Sequence, residues 1–357
     1  MKLKKIEIDN FKGLKHFEMD LHGSNEMPRS LICLVGNNGS GKTTVLQAIA
    51  LVLSAATKKN DDITSLKNAG ISSLPWNGFI YERSISRSTR IKLDIEFEPD
   101  EVAATKEVFD IWKHYYQNEC NHFVEPDELT DITLIYEYGE VKCIEGAAAL
   151  FELRGRFYIK TLLDRVSEVP NFFSRIGDVF WFDQYRNLAT TSLSADWTSG
   201  VSSIRQYLMG WWTYHTSEYK RDIDYLVELE DRFKIIFPKT RFVGVEPMRG
   251  GADIRQQEFF VLLQKGDLKP YDISEMSSGE QVIFSIFYQF VYLRVVRSIV
   301  LIDELELHLH PPEQQALYTS LYKLAPDSQF IITTHSPYIQ DVLLDDEMVL
   351  MERCLCQ

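Results

Sequence analysis

Apolar and polar positions along the 357-residue chain change period several times, and each change predicts an element. Leu3-Lys4-Lys5-Ile6-Glu7-Ile8 alternates, breaks through Asn10-Phe11-Lys12-Gly13-Leu14, and resumes in Lys15-His16-Phe17-Glu18-Met19-Asp20-Leu21. That period of two predicts a pair of half-buried strands joined by a turn. Leu31-Ile32-Cys33-Leu34-Val35 is an unbroken apolar run of strand length, and residues 45–53 read as a buried helix. Residues 55–78, rich in Lys, Asp, Asn, Ser and Gly, predict a loop, and 91–98 a strand with one wet face. A helical pattern from Asp100 to about Gln117 sets Val102, Val108, Phe109 and Trp112 on its apolar side. Residues 132–136 and 141–144 predict a hairpin turning at Gly139, and Phe180-Trp181-Phe182 a short buried strand. One long helical region is expected from Ser202 to Phe237, carrying Trp211, Trp212, Tyr214, Tyr219, Tyr225 and Leu226. Beyond it strands at 258–263, 299–302 and 330–333 alternate with helices from Gly279 and after Pro312.

With no internal repeat and no sustained heptad, residues 1–100 and 255–357 are expected to form one α/β core. Residues 101–254 are then a mostly helical insertion or lid, with a small hairpin and a short strand. Hydrophobic residues at 45% and charged ones at 25% are ordinary for a soluble globular protein. No apolar run approaches the ~18 residues of a membrane span, and the opening Met1-Lys2-Leu3-Lys4-Lys5 lacks a secretory signal's apolar centre. Five scattered cysteines (Cys33, Cys120, Cys143, Cys354, Cys356) fit reduced thiols, so a cytoplasmic location without membrane partners is expected. A net charge of −14 argues against a generally nucleic-acid-attracting surface, although Arg83, Arg87 and Arg90 form a local basic strip.

The densest chemistry lies in Gly36-Asn37-Asn38-Gly39-Ser40-Gly41-Lys42-Thr43-Thr44, between the apolar strand and the buried helix. Strand, glycine-rich loop and helix are the context that makes G-x-x-x-x-G-K-[ST] a phosphate-binding loop. Glycines let successive N–H groups turn inward, and the helix start adds its positive dipole end. Lys42 is expected to reach the β- and γ-phosphates of ATP, and the Thr43 hydroxyl to ligate Mg²⁺. Ser298-Ile299-Val300-Leu301-Ile302 ends in Asp303 and Glu304. There the first carboxylate belongs near Mg²⁺, and the second can orient and activate the attacking water. Met276-Ser277-Ser278-Gly279-Glu280-Gln281 opens a helix with hydroxyls and bare N–H groups, which suits an anion or an ordinary N-cap. Thr333-Thr334-His335-Ser336-Pro337 follows an apolar strand, and His335 there can bond a γ-phosphate or a water.

In this order the motifs resemble the ABC-type ATPases of the RecF, SMC and OLD branch. The resemblance covers both ends of the chain. Ile6-Glu7-Ile8-Asp9-Asn10-Phe11-Lys12-Gly13-Leu14 looks like that branch's opening strand and turn, and residues 36–44 match its Walker A. Residues 276–281 match its signature, with Met276 in place of the usual Leu. Asp303-Glu304-Leu305-Glu306-Leu307-His308-Leu309-His310-Pro311 matches an extended Walker B, with Leu305 where Pro is common. His335 matches the switch histidine, and Gln184 in Phe182-Asp183-Gln184-Tyr185-Arg186 the Q-loop glutamine and a Mg²⁺ ligand.

The resemblance implies a P-loop ATPase head with a mixed central sheet and flanking helices. It also implies a head-to-tail homodimer, or a higher even oligomer, in which Ser277 and Gly279 of one copy face the γ-phosphate held by Lys42 of the other. The chain runs only to Gln357 beyond His335, so a nuclease or toxin effector is expected as a separate protein. That architecture resembles the stand-alone ATPase subunits of bacterial anti-phage systems of PtuA or AriA type. A RecF-like DNA-repair ATPase and a nucleotide-gated scaffold with little turnover remain as alternatives. His308 and His310 read as structural rather than metal ligands, and Glu140-Val141-Lys142 and Glu218-Tyr219-Lys220 as chance triplets rather than a nuclease site.

Overall fold

The computed structural model describes residues 1–23, 26–57, 85–118, 123–182, 201–218, 223–248 and 259–351. Strands β1 (Lys2–Phe11) and β2 (Leu14–Asp20) pair antiparallel around a turn in which Asn10 and Lys12 take φ of 52° and 50°. Strand β3 (Leu31–Val35) is buried along its whole length and leads to helix α1 (Lys42–Ala56). Strand β4 runs Ile85–Glu96, starting earlier than the sequence pattern suggests, so Arg87 and Arg90 lie within it rather than before it. Arg90 sits between Asp9 and Glu137 on the neighbouring strands, which offsets its charge and dilutes the basic strip. Arg83 lies outside the described residues.

Helix α2 (Pro99–Tyr116) begins with proline and two acids and ends with Lys113 and His114, as the helix dipole favours. The predicted hairpin is β5 (Asp131–Glu137) and β6 (Glu140–Cys143), turning at Gly139 with φ of 88°. Helix α3 (Gly155–Leu162) and strand β7 (Val179–Phe182) follow. The expected long helical region is two helices, α4 (Val201–Thr216) and α5 (Tyr225–Ile236), because Asp224 caps the second by accepting from the N–H of Leu226 and Val227. Strands β8 (Thr240–Pro247), β9 (Phe259–Lys265) and β10 (Tyr271–Asp272) lead to helix α6 (Ser278–Tyr292). The chain closes with β11 (Ile299–Ile302), α7 (Pro311–Leu324), β12 (Gln329–Thr334), the short α8 (Pro337–Gln340) and β13 (Met348–Leu350).

Among the described residues the strands form three sheets. An antiparallel sheet has the order β2-β1-β4-β5-β6, a parallel one β13-β3-β12-β11-β7, and a small antiparallel one β10-β9-β8. The 101–254 stretch therefore contributes strands to all three as well as helices. Alternate residues of the parallel sheet divide between two cores. Ile32, Leu34, Ile299, Leu301 and Ile331 face α1 and the larger antiparallel sheet. Cys33, Val35, Val300, Ile302, Phe330 and Ile332 face the core that α4–α7 help to build. Both faces covered is what a parallel sheet requires, and it explains the unbroken apolar runs. The aromatic residues of α4 serve this second core: Trp211 stacks on Tyr225 at 5.3 Å and lies 5.1 Å from Tyr288. Among the described residues no helix is long and apolar enough to cross a membrane.

Two buried ionic features tie the middle of the chain to this frame. Arg205 on α4 donates to Asp272 Oδ2 and Oδ1 at 2.6 and 2.8 Å, and Asp272 also accepts from the N–H of Val261 and Ser274. Burial works to raise the Asp272 carboxyl, but Arg205 and Ser274 outweigh it and hold it at about 2. Glu152, in the turn before α3, is only 3% exposed; its Oε1 accepts from the N–H of Glu128 at 2.5 Å, and its Oε2 has no partner among the described residues. Burial therefore pushes this carboxyl up to about 7, against the pull of the two backbone donors Glu128 and Leu129 and with the help of the Asp127 and Glu128 charges.

Removing Arg205 leaves Asp272 buried without its charge partner, so Arg205→Ala is expected to lose about 3 kcal/mol in urea unfolding. A loss below about 0.5 kcal/mol contradicts the pairing. Because the folded chain holds the Glu152 proton above the ordinary 4.5, this group's contribution to stability falls as pH rises from about 4.5 through about 7. Glu152→Gln should flatten that slope in urea titrations at pH 5, 6, 7 and 8 (roughly spaced to bracket the window) and be the more stable protein at the top of it.

Candidate nucleotide site

The parallel register of β3, β12 and β11 brings three strand ends level, since Val35 pairs with Thr334 and Ile302 with Ile332. Ligands of open parallel sheets bind at this carboxyl edge. Here the edge carries the loop before α1, the Asp303-Glu304 pair and His335. A cleft of about 370 Å³ opens between them, lined by residues 38–44, Glu304, His335, Gly13 and Leu14. The 10–14 turn is thus a wall of the cleft, which the alternation of β1 and β2 did not reveal. Gly41 shows why the loop demands glycine: its φ is +98°, and a Cβ there would stand 2.8 Å from Leu14 Cδ2.

Lys42 is 5% exposed, and its ammonium donates to the carbonyls of Gly36 and Asn37 at 2.8 and 3.1 Å. Burial lowers its pKa, and the charges of Asp303, Glu304 and Glu306 pull the other way. Thr43 Oγ1 donates to Asp303 Oδ1 at 3.0 Å. The expected metal pair is thereby side by side. Thr333 also donates to Asp303 Oδ1, at 2.7 Å, and its hydroxyl accepts from the Glu304 N–H at 2.8 Å. Thr333 was not singled out from the sequence. The signal for Thr333 is slight: a polar residue ending an apolar strand.

Whether these residues fit a Mg²⁺ nucleotide can be tested on the loop itself. The Ser40 hydroxyl is 3% exposed and has no hydrogen-bond partner among the described residues, although it lies in the wall of the cleft. A buried hydroxyl of this kind costs free energy unless something accepts from it. Phosphate oxygens are suitable acceptors, and Lys42, Thr43 and Asp303 supply the accompanying charge and metal ligands. The donor set fits the group.

The signature residues lie elsewhere. Ser277 is exposed and caps α6, its hydroxyl accepting from the Glu280 N–H at 3.2 Å while Glu280 accepts from the Ser277 N–H at 2.9 Å. Gly279 is buried against Glu313 of α7, whose Oε2 would be 2.1 Å from any Cβ. Neither lines the cleft of its own chain. Gln184 falls outside the described residues.

Family models match both ends of the chain. One described as "AAA ATPase domain" covers residues 1–142, and one described as "AAA domain, putative AbiEii toxin, Type IV TA system" covers residues 212–341. Septu protein PtuA of Bacillus mycoides (strain KBAB4) is 24% identical over 98% of this chain and 40% of its own length. Retron Vc95 probable ATPase of Vibrio cholerae serotype O1 biovar El Tor is 22% identical over 98% of this chain and 73% of its own. OLD nuclease of Thermus scotoductus (strain ATCC 700910 / SA-01) is 24% identical over 95% and 60%. The chain therefore spans less than half of the PtuA relative and three fifths of the OLD relative. Among solved structures, the Smc head bound to the C-winged helix domain of ScpA aligns with a TM-score of 0.49 and 12% identity, over 96% of this chain and 91% of that one. The partial family matches at both ends and the relatives that align along nearly the whole chain agree with the loop, the carboxylate pair and the sheet edge: the chain is similar to AAA ATPase domains in two stretches and to PtuA, the retron probable ATPases and OLD nuclease along almost all of its length.

Proposed function

We propose that this chain binds ATP with Mg²⁺, hydrolyses it slowly, and closes head to tail with a second copy over the nucleotide to gate a separate effector in an anti-phage defence complex. The observation that carries the reading is the cleft at the sheet edge. It joins a buried lysine, an unsatisfied loop hydroxyl and the Thr43–Asp303 pair to Glu304 and His335. Bound Mg²⁺ would neutralise phosphate charge at Thr43 and Asp303, with Gln184 as a further ligand. Residues 37–44 wrap the phosphates with N–H groups, and Lys42 answers their charge. Glu304 orients the attacking water and takes its proton, and His335 holds the γ-phosphate end. Since all of these groups are arranged for charge, the nucleotide's binding energy can go into positioning.

The exposed N-cap at Ser277 supports the two-copy closure, because it lies outside the cleft of its own chain, where a second copy could reach it. Glu313 then has to swing aside before Gly279 can meet a γ-phosphate. The PtuA, retron and OLD names of the relatives support the defence setting. The effector and its trigger belong to the proposal alone.

Lys42→Ala should weaken ATP binding at least about 100-fold in a fluorescent-nucleotide titration, the scale of losing a buried charge contact to phosphate. Unchanged affinity would remove the phosphate-loop assignment. Glu304→Gln should keep binding within about twofold and lower kcat at least about 100-fold. In sedimentation with ATP and Mg²⁺ the same variant should run as a dimer. A monomer there contradicts the head-to-tail closure.

A further inference from the structure

Glu306 lies two residues beyond the proposed base, between Leu305 and Leu307, and its carboxylate turns back to the end of β12. Oε2 accepts from the Thr334 hydroxyl at 2.7 Å and Oε1 from the His335 N–H at 2.5 Å. Both oxygens are thus fixed on the segment that carries His335 into the cleft. The bonds continue. The Thr334 hydroxyl accepts from the Ser336 N–H at 3.0 Å, and the Ser336 hydroxyl donates to Gln314 Oε1 at 2.5 Å. Gln314 Nε2 donates to the Leu309 carbonyl at 2.9 Å, and the Leu309 N–H donates to the Glu306 carbonyl at 3.0 Å. The path closes on itself.

We infer that this largely buried polar ring, which Glu306 enters from its half-buried position, positions His335 against the cleft and ties that position to the first turn of α7. Thr334 is fully buried, Ser336 6% exposed and Gln314 8% exposed, so water competes poorly for these bonds. The chain needs such a clamp here. Glu304 and His308 both take positive φ, 50° and 65°, and bonds from the Glu304 and Leu305 N–H groups to Thr333, with the buried Leu305 side chain, help to hold that irregular backbone in one shape. The residue beside Gln314 is Glu313, whose carboxylate covers Gly279. Movement of Glu313 when a second copy arrives therefore disturbs the turn from which Gln314 reaches Ser336. Glu306 is a positioning residue: it acts through His335 and does not line the cleft.

The inference rests on the ATP-hydrolysis reading, and Glu306→Gln tests it separately. A glutamine has one acceptor oxygen where two donors converge, so one bond is lost and the volume is kept. Expected are nucleotide affinity within about twofold of the parent and kcat lower by roughly 10- to 100-fold, the scale of a misplaced group. In the double variant Glu306→Gln/His335→Ala, kcat should equal that of His335→Ala alone, because both changes remove the same function. Multiplying losses would overturn the proposal. A second readout needs no turnover: in the protein labelled with ¹³C at histidine, the His335 ring resonance, assigned through His335→Ala, should move in Glu306→Gln. A resonance that stays put overturns the proposal even if the parent hydrolyses no ATP, a result that would count against the function instead. Should Glu306→Gln fail to fold, Thr334→Val removes the two ring bonds that the Thr334 hydroxyl makes and Thr334→Ser restores them, with the same two readouts.

Discussion

Asp303 is the point on which the molecule's chemistry converges. Its carboxylate is 5% exposed at the end of β11, and burying such a charge is costly unless donors surround it. Thr43 supplies one from the first turn of α1, just past the loop after β3, and Thr333 another from the end of β12. Three neighbouring strand ends are thereby fastened through a single oxygen. The parallel order β3-β12-β11 is what makes this possible, since it sets those ends level at one edge. A shift of one residue in either pairing would turn Thr333 to the opposite face of the sheet and take its hydroxyl from Asp303.

Around that point charge is unevenly spread. Lys42 faces Asp303, Glu304 and Glu306, and burial weakens its own hold on a proton. Three carboxylates against one lysine leave an excess of negative charge, which a metal ion would offset and phosphates arriving without one would increase. The orphaned Ser40 hydroxyl points the same way.

Much of this was legible in the residues. The 36–44 loop declares itself because glycine spacing and a lysine at a helix start are dictated by backbone geometry, and Gly41 at φ +98° bears that out. Buried strands such as β11 and β12 announce themselves by unbroken apolar runs. The long helical region from 202 to 237 was misread as continuous because apolar spacing persists across it, while the break depends on one capping side chain, Asp224. β13 and β8 escaped notice for a different reason. β13 is only partly buried and pairs with β3 at the other end of the chain, whereas β8 pairs with the neighbouring β9 but mixes buried Thr240 and Phe242 with half-buried and exposed positions in no strict alternation. Glu306 was read only as part of the Walker B match and as a fallback for Glu304, since its bonds to Thr334 and His335 come from β12, which only folding brings near. Gly279 was expected to be open to a neighbour, and the covering by Glu313 comes from α7, again a tertiary fact.

The bond between Arg205 and Asp272 gives the middle of the chain a mechanical bearing on the rest. Asp272 begins the 3₁₀ turn Ile273–Glu275 that runs directly into Ser277, and its carboxylate caps that turn. Helix α4 is therefore a lever arm whose fulcrum sits five residues before the exposed cap of α6. A displacement of that arm would pull on the very turn that leads into the cap.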